Sequence, residues 1–356
     1  MKQAPDGLRQ EFERRNKGEL PAGWKNAIAA VRMEFIKEGK ELATRQASGA
    51  VLNHLFDAIP EMLGGSADLT PSNNTKAKNQ VEIKPGEFQG SYVHYGVREH
   101  GMAAAMNGIA LHGGLIPYGG TFLCFSDYCR PAIRLAAMMQ IRTTFVMTHD
   151  SIGLGEDGPT HQPVEQLAAL RAIPHLAVYR PGDAVETAEC WENILDTPRR
   201  AALLALSRQP MPLLRRETGT ENKSARGAYV LLEAEGGPRR LTLMATGSEL
   251  HLAVEARDIM QQEGVPTAVV SMPCRLLFEE QNAAYKRAVM GDTHARVAVE
   301  AAVEMGWERY LGFQGRFIGM HGFGESGKIA DVYQKFGITT KAVARAAREV
   351  LQAVYG

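Results

Sequence analysis

Short apolar runs that recur with helix-patterned stretches between them leave a chain few folds to adopt, and from Leu42 onward this sequence has that form. "EMLGG", "YVHYG", "GGLIPYGG", "TTFVMTHD", "LAVYRPG" and "AALLALSR" are strand candidates, with helical patterns near 99–112, 122–139, 163–171 and 183–196. Strands that are apolar on both sides need cover on both sides, so the pattern predicts a parallel sheet with helices on both faces. After "QPMPLLRRETGTENKSARG" the alternation starts again, with "YVLLEA", "RLTLMATG", "TAVVSM", "ARVAVEA" and "RFIGM". The expected fold class is therefore α/β, with two domains, each a mainly parallel sheet with helices on both faces. We divide the chain into a linker arm (1–40), a first domain (41–209), a linker (210–227) and a second domain (228–356). The arm is charged, is punctuated by "KGELPAGW" and carries one amphipathic stretch from Ile28 to Ile36, which suits a connector better than a domain. The last helix is the clearest, with Thr339 or Thr340 as cap and Val343, Ala346, Ala347, Val350, Leu351 and Val354 on one stripe.

Composition narrows the partners. Lys plus Arg and Asp plus Glu both total 40, and no basic stripe is present, so neither nucleic acid nor an anionic membrane is an expected partner. No apolar stretch is long enough to span a bilayer, and the start "MKQAPDGLRQEFERR" lacks the apolar core of a signal peptide, so a cytoplasmic location is expected. Cys124, Cys129, Cys190 and Cys274 form no C-x-x-C pair and read as reduced core residues.

In a sheet of this kind ligands collect beyond the carboxyl ends of the strands. That directs attention to four loops: "GGSADLTPSNNT", "YGVREHG", "YGGTFLCFSDY" and "THDSIGLGEDGPTHQP". Glu99, in the second, heads a run of Gly, Ala and Met; taken alone, the helix dipole explains a carboxylate in a first turn. The third spaces Phe122, Phe125 and Tyr128 three apart, on one side of a helix. Such a stripe fits a plain core or, at a strand's end, the wall of a pocket for a flat heteroaromatic ring. The fourth holds His149, Asp150, Glu156, Asp157 and His161 among glycines that permit close backbone approach to a ligand. A metal site from His149, Asp157 and His161 is chemically possible, but the spacing matches neither a single helix turn nor a cysteine knuckle. Turn formers explain the Gly, Asp and Pro but not two histidines; a polar-substrate site with His and Asp as hydrogen-bonding and acid/base groups accounts for all of them. "GFGESGKI" fits G-x-x-x-x-G-K, yet Ile329 stands where a P-loop needs a magnesium-ligating hydroxyl, so we read it as a Gly-rich turn into a helix.

Taken in order, "GGSADLTPSN", "HYGVREHGM", "GGTFLCF", "THDSIGLGEDGPTHQP" and "LSRQ", followed by "ATGSEL", "VVSMP", "RVAVEA" and "FGESG", closely resemble the transketolase family over nearly the whole chain. The resemblance implies a thiamine-diphosphate pyrimidine-binding domain followed by the family's carboxy-terminal domain, in a homodimer acting on sugar phosphates. It implies that Glu99 hydrogen-bonds the aminopyrimidine ring nitrogen, favouring the tautomer whose exocyclic nitrogen takes the thiazolium proton. Phe125 then matches the residue stacked on the pyrimidine, Phe122 and Tyr128 complete the aromatic wall, and Asp68 joins the cofactor set. Asp157 and His161 match groups that bind the donor sugar's hydroxyls; Arg45, Ser72, His149 and Arg208 match those that hold its phosphate.

The family's first domain carries a Gly-Asp-Gly motif and a downstream Asn that fix Mg²⁺ and the diphosphate, and no G-D-G occurs here. No metal ligand is therefore assigned to this chain. The expectation is that Met1 starts within the region linking the family's first two domains and that a separate diphosphate-binding subunit supplies the missing half. The alternative is an inert truncated or regulatory fragment. Deoxyxylulose phosphate synthase and the beta subunits of 2-oxo acid dehydrogenases fit less well, because the fourth loop supplies the sugar-phosphate contacts that transketolases use.

Overall fold

The computed structural model describes residues 5–219 and 221–356; positions 1–4 of the arm and Thr220 of the linker lie outside it. Six strands, β1 (Met62–Ser66), β2 (Tyr92–His94), β3 (Ile116–Phe122), β4 (Thr144–Thr148), β5 (Ala177–Tyr179) and β6 (Ala202–Leu206), form the first sheet. Their order is β2-β1-β3-β4-β6-β5, and every neighbouring pair is parallel. The two faces divide residue by residue, as a pleated strand requires: Phe145 and Met147 of β4 pack on one side and Val146 on the other. Helices Glu99–His112, Ser126–Met139 and Gln166–Arg171 cover the Phe145 side, while Lys25–Glu38, Thr44–Ala58 and Ala184–Asp196 cover the Val146 side. All four cysteines are buried and free.

The second sheet contains β7 (Tyr229–Leu232), β8 (Leu241–Ala245), β9 (Thr267–Ser271), β10 (Arg296–Val299) and β11 (Arg316–Ile318), in the order β11-β10-β8-β9-β7. It is parallel except where β7 runs against β9. Helices Leu250–Gln262 and Thr340–Tyr355 cover one face, and Phe278, Trp307 and Tyr310 from short helical segments cover the other. Thr339 rather than Thr340 is the cap, its hydroxyl accepting from the Ala342 amide at 3.2 Å. No helix among the described residues is long and apolar enough to cross a membrane.

Three sequence expectations need correction. The stretch from Ile28 to Ile36 is no mere connector: its helix buries Ile28, Val31 and Phe35 in the first domain's core beside Trp191. The helix expected from 122 starts at Ser126, because Phe122 ends β3 and residues 123–125 form a 3-10 turn. The linker expected from Pro210 begins with pairing instead, Pro210–Met211 lying antiparallel to Leu42–Ala43 and so closing the first domain.

The domains meet through buried charge. Glu186 accepts hydrogen bonds from the Gly182 amide at 2.7 Å, from the Tyr229 hydroxyl of the second domain at 2.6 Å and from Ser271. Burial and neighbouring Asp183 push its carboxyl from an ordinary 4.5 up to about 7. Below pH 4.5 the group is protonated in folded and unfolded chains alike. As pH rises only the unfolded chain ionises freely, so stability is lost until the folded carboxyl also ionises near pH 7. Glu186→Gln is therefore expected to gain about 1 to 3 kcal/mol over the parent at pH 8 and much less at pH 5. Denaturant unfolding at both pH values checks this, and an equal difference at both would remove the explanation.

Candidate active site

All four loops singled out in the sequence leave the carboxyl ends of neighbouring strands, so the parallel sheet brings their residues to one rim. Glu99 opens its helix in the first turn with 8% of its surface exposed, and the Thr121 hydroxyl lies 3.4 Å from its Oε1. Thr121 is followed by Phe122, whose ring stacks on His149 at 3.7 Å between centroids and on Phe125 at 5.7 Å. Phe125 in turn meets Tyr128 at 5.9 Å and the edge of His161 at 5.3 Å. The three aromatics thus do not share a helix face as their spacing suggested; a strand end, a 3-10 turn and a helix bring them together. Phe122 is buried under His149 and supports the cluster, Phe125 is half-buried and offers a face, and Tyr128 is exposed.

A cationic group lies beside the aromatics. Arg45 donates to the Ser72 carbonyl at 2.6 Å, and its buried Nε has no partner. Burial and the nearby Arg208 charge lower its pKa. Arg208 is exposed and makes no side-chain hydrogen bond or ion pair among the described residues. His149, at a positive φ of 60°, is 5% exposed. Burial, then the charges of Arg45 and Arg208, push its imidazole down to about 3, so it is neutral at physiological pH. The Thr148 hydroxyl, already accepting from Asn73 at 2.8 Å, has its proton free for His149 Nδ1 at 2.8 Å. With the hydroxyl donating to Nδ1, the neutral ring carries its proton on Nε2 as a donor.

Asn73 was not picked out in the sequence. It also bonds Ser66 and the Thr121 carbonyl, tying three of the loops together. A buried asparagine with that task has no local pattern to betray it. Asp68 is exposed at the end of β1 with a φ of 64°, and Ser72 presents its backbone to Arg45.

The fourth loop is organised by the second domain. Gly155 and Gly158 have φ of 81° and 77°, and a Cβ on either would stand 3.2 Å from Gly327 or Ser326. The glycines expected to admit a ligand admit this neighbouring loop. Gln162 donates to the carbonyls of Gly155 and Glu325, and Ser326 donates to the Glu156 carbonyl at 2.5 Å. The result is a cavity of about 260 Å³ whose wall includes Asp157, Arg208, Gly327 and Lys328. The segment discarded as a P-loop is a wall of the site, a role no motif announces. Among the described residues no three His, Cys, Asp or Glu side chains group to hold a metal ion, and His149, Asp157 and His161 do not converge as one.

The chain matches known protein families in sequence and fold. The family described as transketolase, pyrimidine binding domain, matches residues 40–212, and the transketolase-like TK C-terminal domain matches 227–339. A transketolase of Cereibacter sphaeroides is 56% identical over 323 residues, 91% of this chain and 49% of its own length. A Pichia stipitis transketolase solved in complex with sedoheptulose 7-phosphate superimposes with a TM-score of 0.88 at 40% identity, over 97% of this chain and 50% of that one. A split-gene transketolase solved as an inactive beta4 tetramer shares the fold at a TM-score of 0.73 and 22% identity, over 88% of this chain and 99% of that one. The chain spans about half the length of the curated relatives it matches.

Proposed function

This chain belongs to the transketolase family, and we propose that it forms the aminopyrimidine- and sugar-phosphate-binding half of an enzyme that moves a two-carbon ketol unit from a ketose phosphate to an aldose phosphate. The reading is carried by the meeting, on one rim of one sheet, of buried Glu99 beside an aromatic cluster and of Arg45, Arg208 and neutral His149. When bound, thiamine diphosphate supplies the carbon nucleophile for this chemistry. Glu99 and the half-buried Phe125 face fit its aminopyrimidine; among the described residues no cluster of three His, Cys, Asp or Glu side chains is grouped to hold its Mg²⁺. We assign the diphosphate and metal to a diphosphate-binding domain on a separate polypeptide, and the family resemblance supports self-association of this chain as a homodimer.

Each residue then has a physical task. Glu99 holds a proton at the aminopyrimidine ring nitrogen, with Thr121 orienting the carboxyl. Arg45 and Arg208 clamp the sugar's phosphate, with the Ser72 segment setting the position of Arg45. His149 donates Nε2–H to the same phosphate without adding a third charge between two arginines. Asp157 and His161 bind hydroxyls of the donor, and the loop around Lys328 closes the cavity against water.

Two outcomes test the reading. Arg45→Ala and Arg208→Ala should weaken phosphorylated donors by about 1.5 to 3 kcal/mol relative to hydroxypyruvate, which has no phosphate to lose. Equal losses for both donors would make the arginines structural. Separately, the chain alone should bind thiamine diphosphate with millimolar affinity at best, since one stacked ring and one hydrogen bond provide only a few kcal/mol. Calorimetry with cofactor and Mg²⁺, followed by a xylulose 5-phosphate and ribose 5-phosphate assay with and without a diphosphate-domain partner, decides it. Activity only with the partner supports the split enzyme; micromolar binding or turnover by the chain alone overturns it, and inactivity with a competent partner makes the chain an inert fragment.

A further inference from the structure

The opposite rim of the first sheet holds a second cationic pocket that the proposed reaction does not use. The arm helix Asp6–Asn16 is fastened there by Arg14, which donates to both Glu61 oxygens at 2.7 and 3.1 Å. Beneath it lies a pocket of about 280 Å³ whose wall includes Arg15, Lys17, Arg142, Arg199 and the two glycines Gly113 and Gly114. Arg142 precedes β4, so the pocket is at the amino ends of the strands. The seven residues of β3 separate it from Phe122, a distance of about 20 Å.

Arg142 is the anomaly. It is half-buried, its Nε is shut off from solvent without a partner, and its guanidinium makes no hydrogen bond or ion pair among the described residues. Of the two acids in the pocket wall, Glu61 is already taken by Arg14 and Glu19 is exposed; neither pairs with Arg142 among the described residues. Burial lowers the pKa of Arg142 despite the more distant charges of Glu61 and Asp196. Keeping part of an unpaired guanidinium out of water is unfavourable, and an anion entering the pocket relieves it. Arg199 is exposed and lines the pocket, and among the described residues neither it nor Lys17 makes a side-chain hydrogen bond or ion pair.

We propose that this pocket is a binding site for a small phosphate-bearing anion, held by Arg142 and Arg199 and distinct from the sugar-phosphate cluster around Arg208. Guanidinium forks match phosphate oxygens two at a time, and a pocket of about 280 Å³ has room for a phosphate group. The site joins the arm to the start of β4, the strand whose other end bears His149. A bound anion would therefore stiffen the arm's docking and the base of the strand that positions the proposed phosphate cluster.

The test uses inorganic phosphate as probe at constant ionic strength, on the full chain, the Arg142→Gln variant and the Arg208→Gln variant. Calorimetry is expected to show two binding events. Arg142→Gln weakens one of them about tenfold or more, and Arg208→Gln weakens only the other. The Arg142 Nε–H resonance of the parent should shift during the titration. Without phosphate, Arg142→Gln should unfold at the same or a higher temperature than the parent, because it removes an unpaired charge; phosphate should then stabilise the parent more than the variant. Phosphate binding unchanged by Arg142→Gln, a stationary Nε–H resonance, or a variant less stable than the parent in phosphate-free buffer would each overturn the assignment. Because Arg208→Gln reports on the other cluster, failure here leaves the proposed reaction untouched, and the reverse also holds.

Discussion

Replacing Glu99 by alanine is expected to lower ketol transfer by the reconstituted enzyme at least about 100-fold, the usual loss when a positioned acid or base is removed. The same change should leave the fold intact. Glu99 is buried, yet among the described residues its side chain has one hydrogen bond, from the Thr121 hydroxyl at a long 3.4 Å, and no basic partner is abandoned when it goes. A buried polar group with so little compensation from its own chain is a cost to folding rather than a support. It is explained by something that binds there, and a ring nitrogen that accepts its proton is such a group. Turnover in the presence of the diphosphate-domain partner and denaturant unfolding of the variant are the two measurements. Near-normal turnover, or a loss of activity that tracks a loss of stability, would remove Glu99 from the reaction.

The second large effect is on stability. Arg180 is wholly buried between the domains and donates to Asp150 at 2.8 Å, Glu249 at 2.6 Å, Ser248 at 3.1 Å and the Thr246 carbonyl at 3.0 Å, with Glu300 at 3.4 Å. Glu300 also takes both guanidinium nitrogens of Arg171 at 2.8 Å and the Trp307 indole at 2.8 Å. Burial acts to raise the Glu300 carboxyl, but Arg171 and Arg275 hold it well below the usual carboxylate range. Arg180→Met should keep the volume roughly filled and leave Asp150, whose other oxygen has no partner, as a bare buried charge. The expected cost is about 3 to 5 kcal/mol in denaturant unfolding. Adding Asp150→Asn and Glu249→Gln should recover much of it, since the loss comes from stranded charges more than from a missing attraction. A cost below about 1 kcal/mol, the range of exposed pairs, would show that water reaches the network. Because Asp150 follows His149 directly, the single variant should also loosen the loop that carries the proposed phosphate cluster.

Much of this is legible in the sequence alone. Alternation of apolar runs with helical periodicity is a local signal, and it located every strand of both sheets to within a few residues. Strand ends follow from strands, so the four loops that meet on one rim are readable from the sequence, with Glu99, Phe125 and His149 among their residues; Arg45 and Arg208 lie outside those loops and are indicated only by the family resemblance. The misreadings also have local causes. Phe122, Phe125 and Tyr128 have helical spacing, and only the sheet's hold on Phe122 reveals that the first of them belongs to a strand. The arm's Ile28, Val31 and Phe35 form an ordinary amphipathic pattern whose destination the sequence does not state.

What the sequence alone determined, then, is the fold class, the order of its elements and the types of residue gathered at the carboxyl ends of the strands, because each depends on neighbours within a few positions. Tertiary structure alone decided the domain interface, the wall built by Lys328 against Asp157 and the lone guanidinium of Arg142. Arg180 lies 69 residues from Glu249 and 120 from Glu300, and the Gln162 contact with Glu325 spans 163. Interactions at such separations leave no periodicity behind. Their partners are chosen by which surfaces two independently patterned domains bring together, and that choice is made only when both are packed.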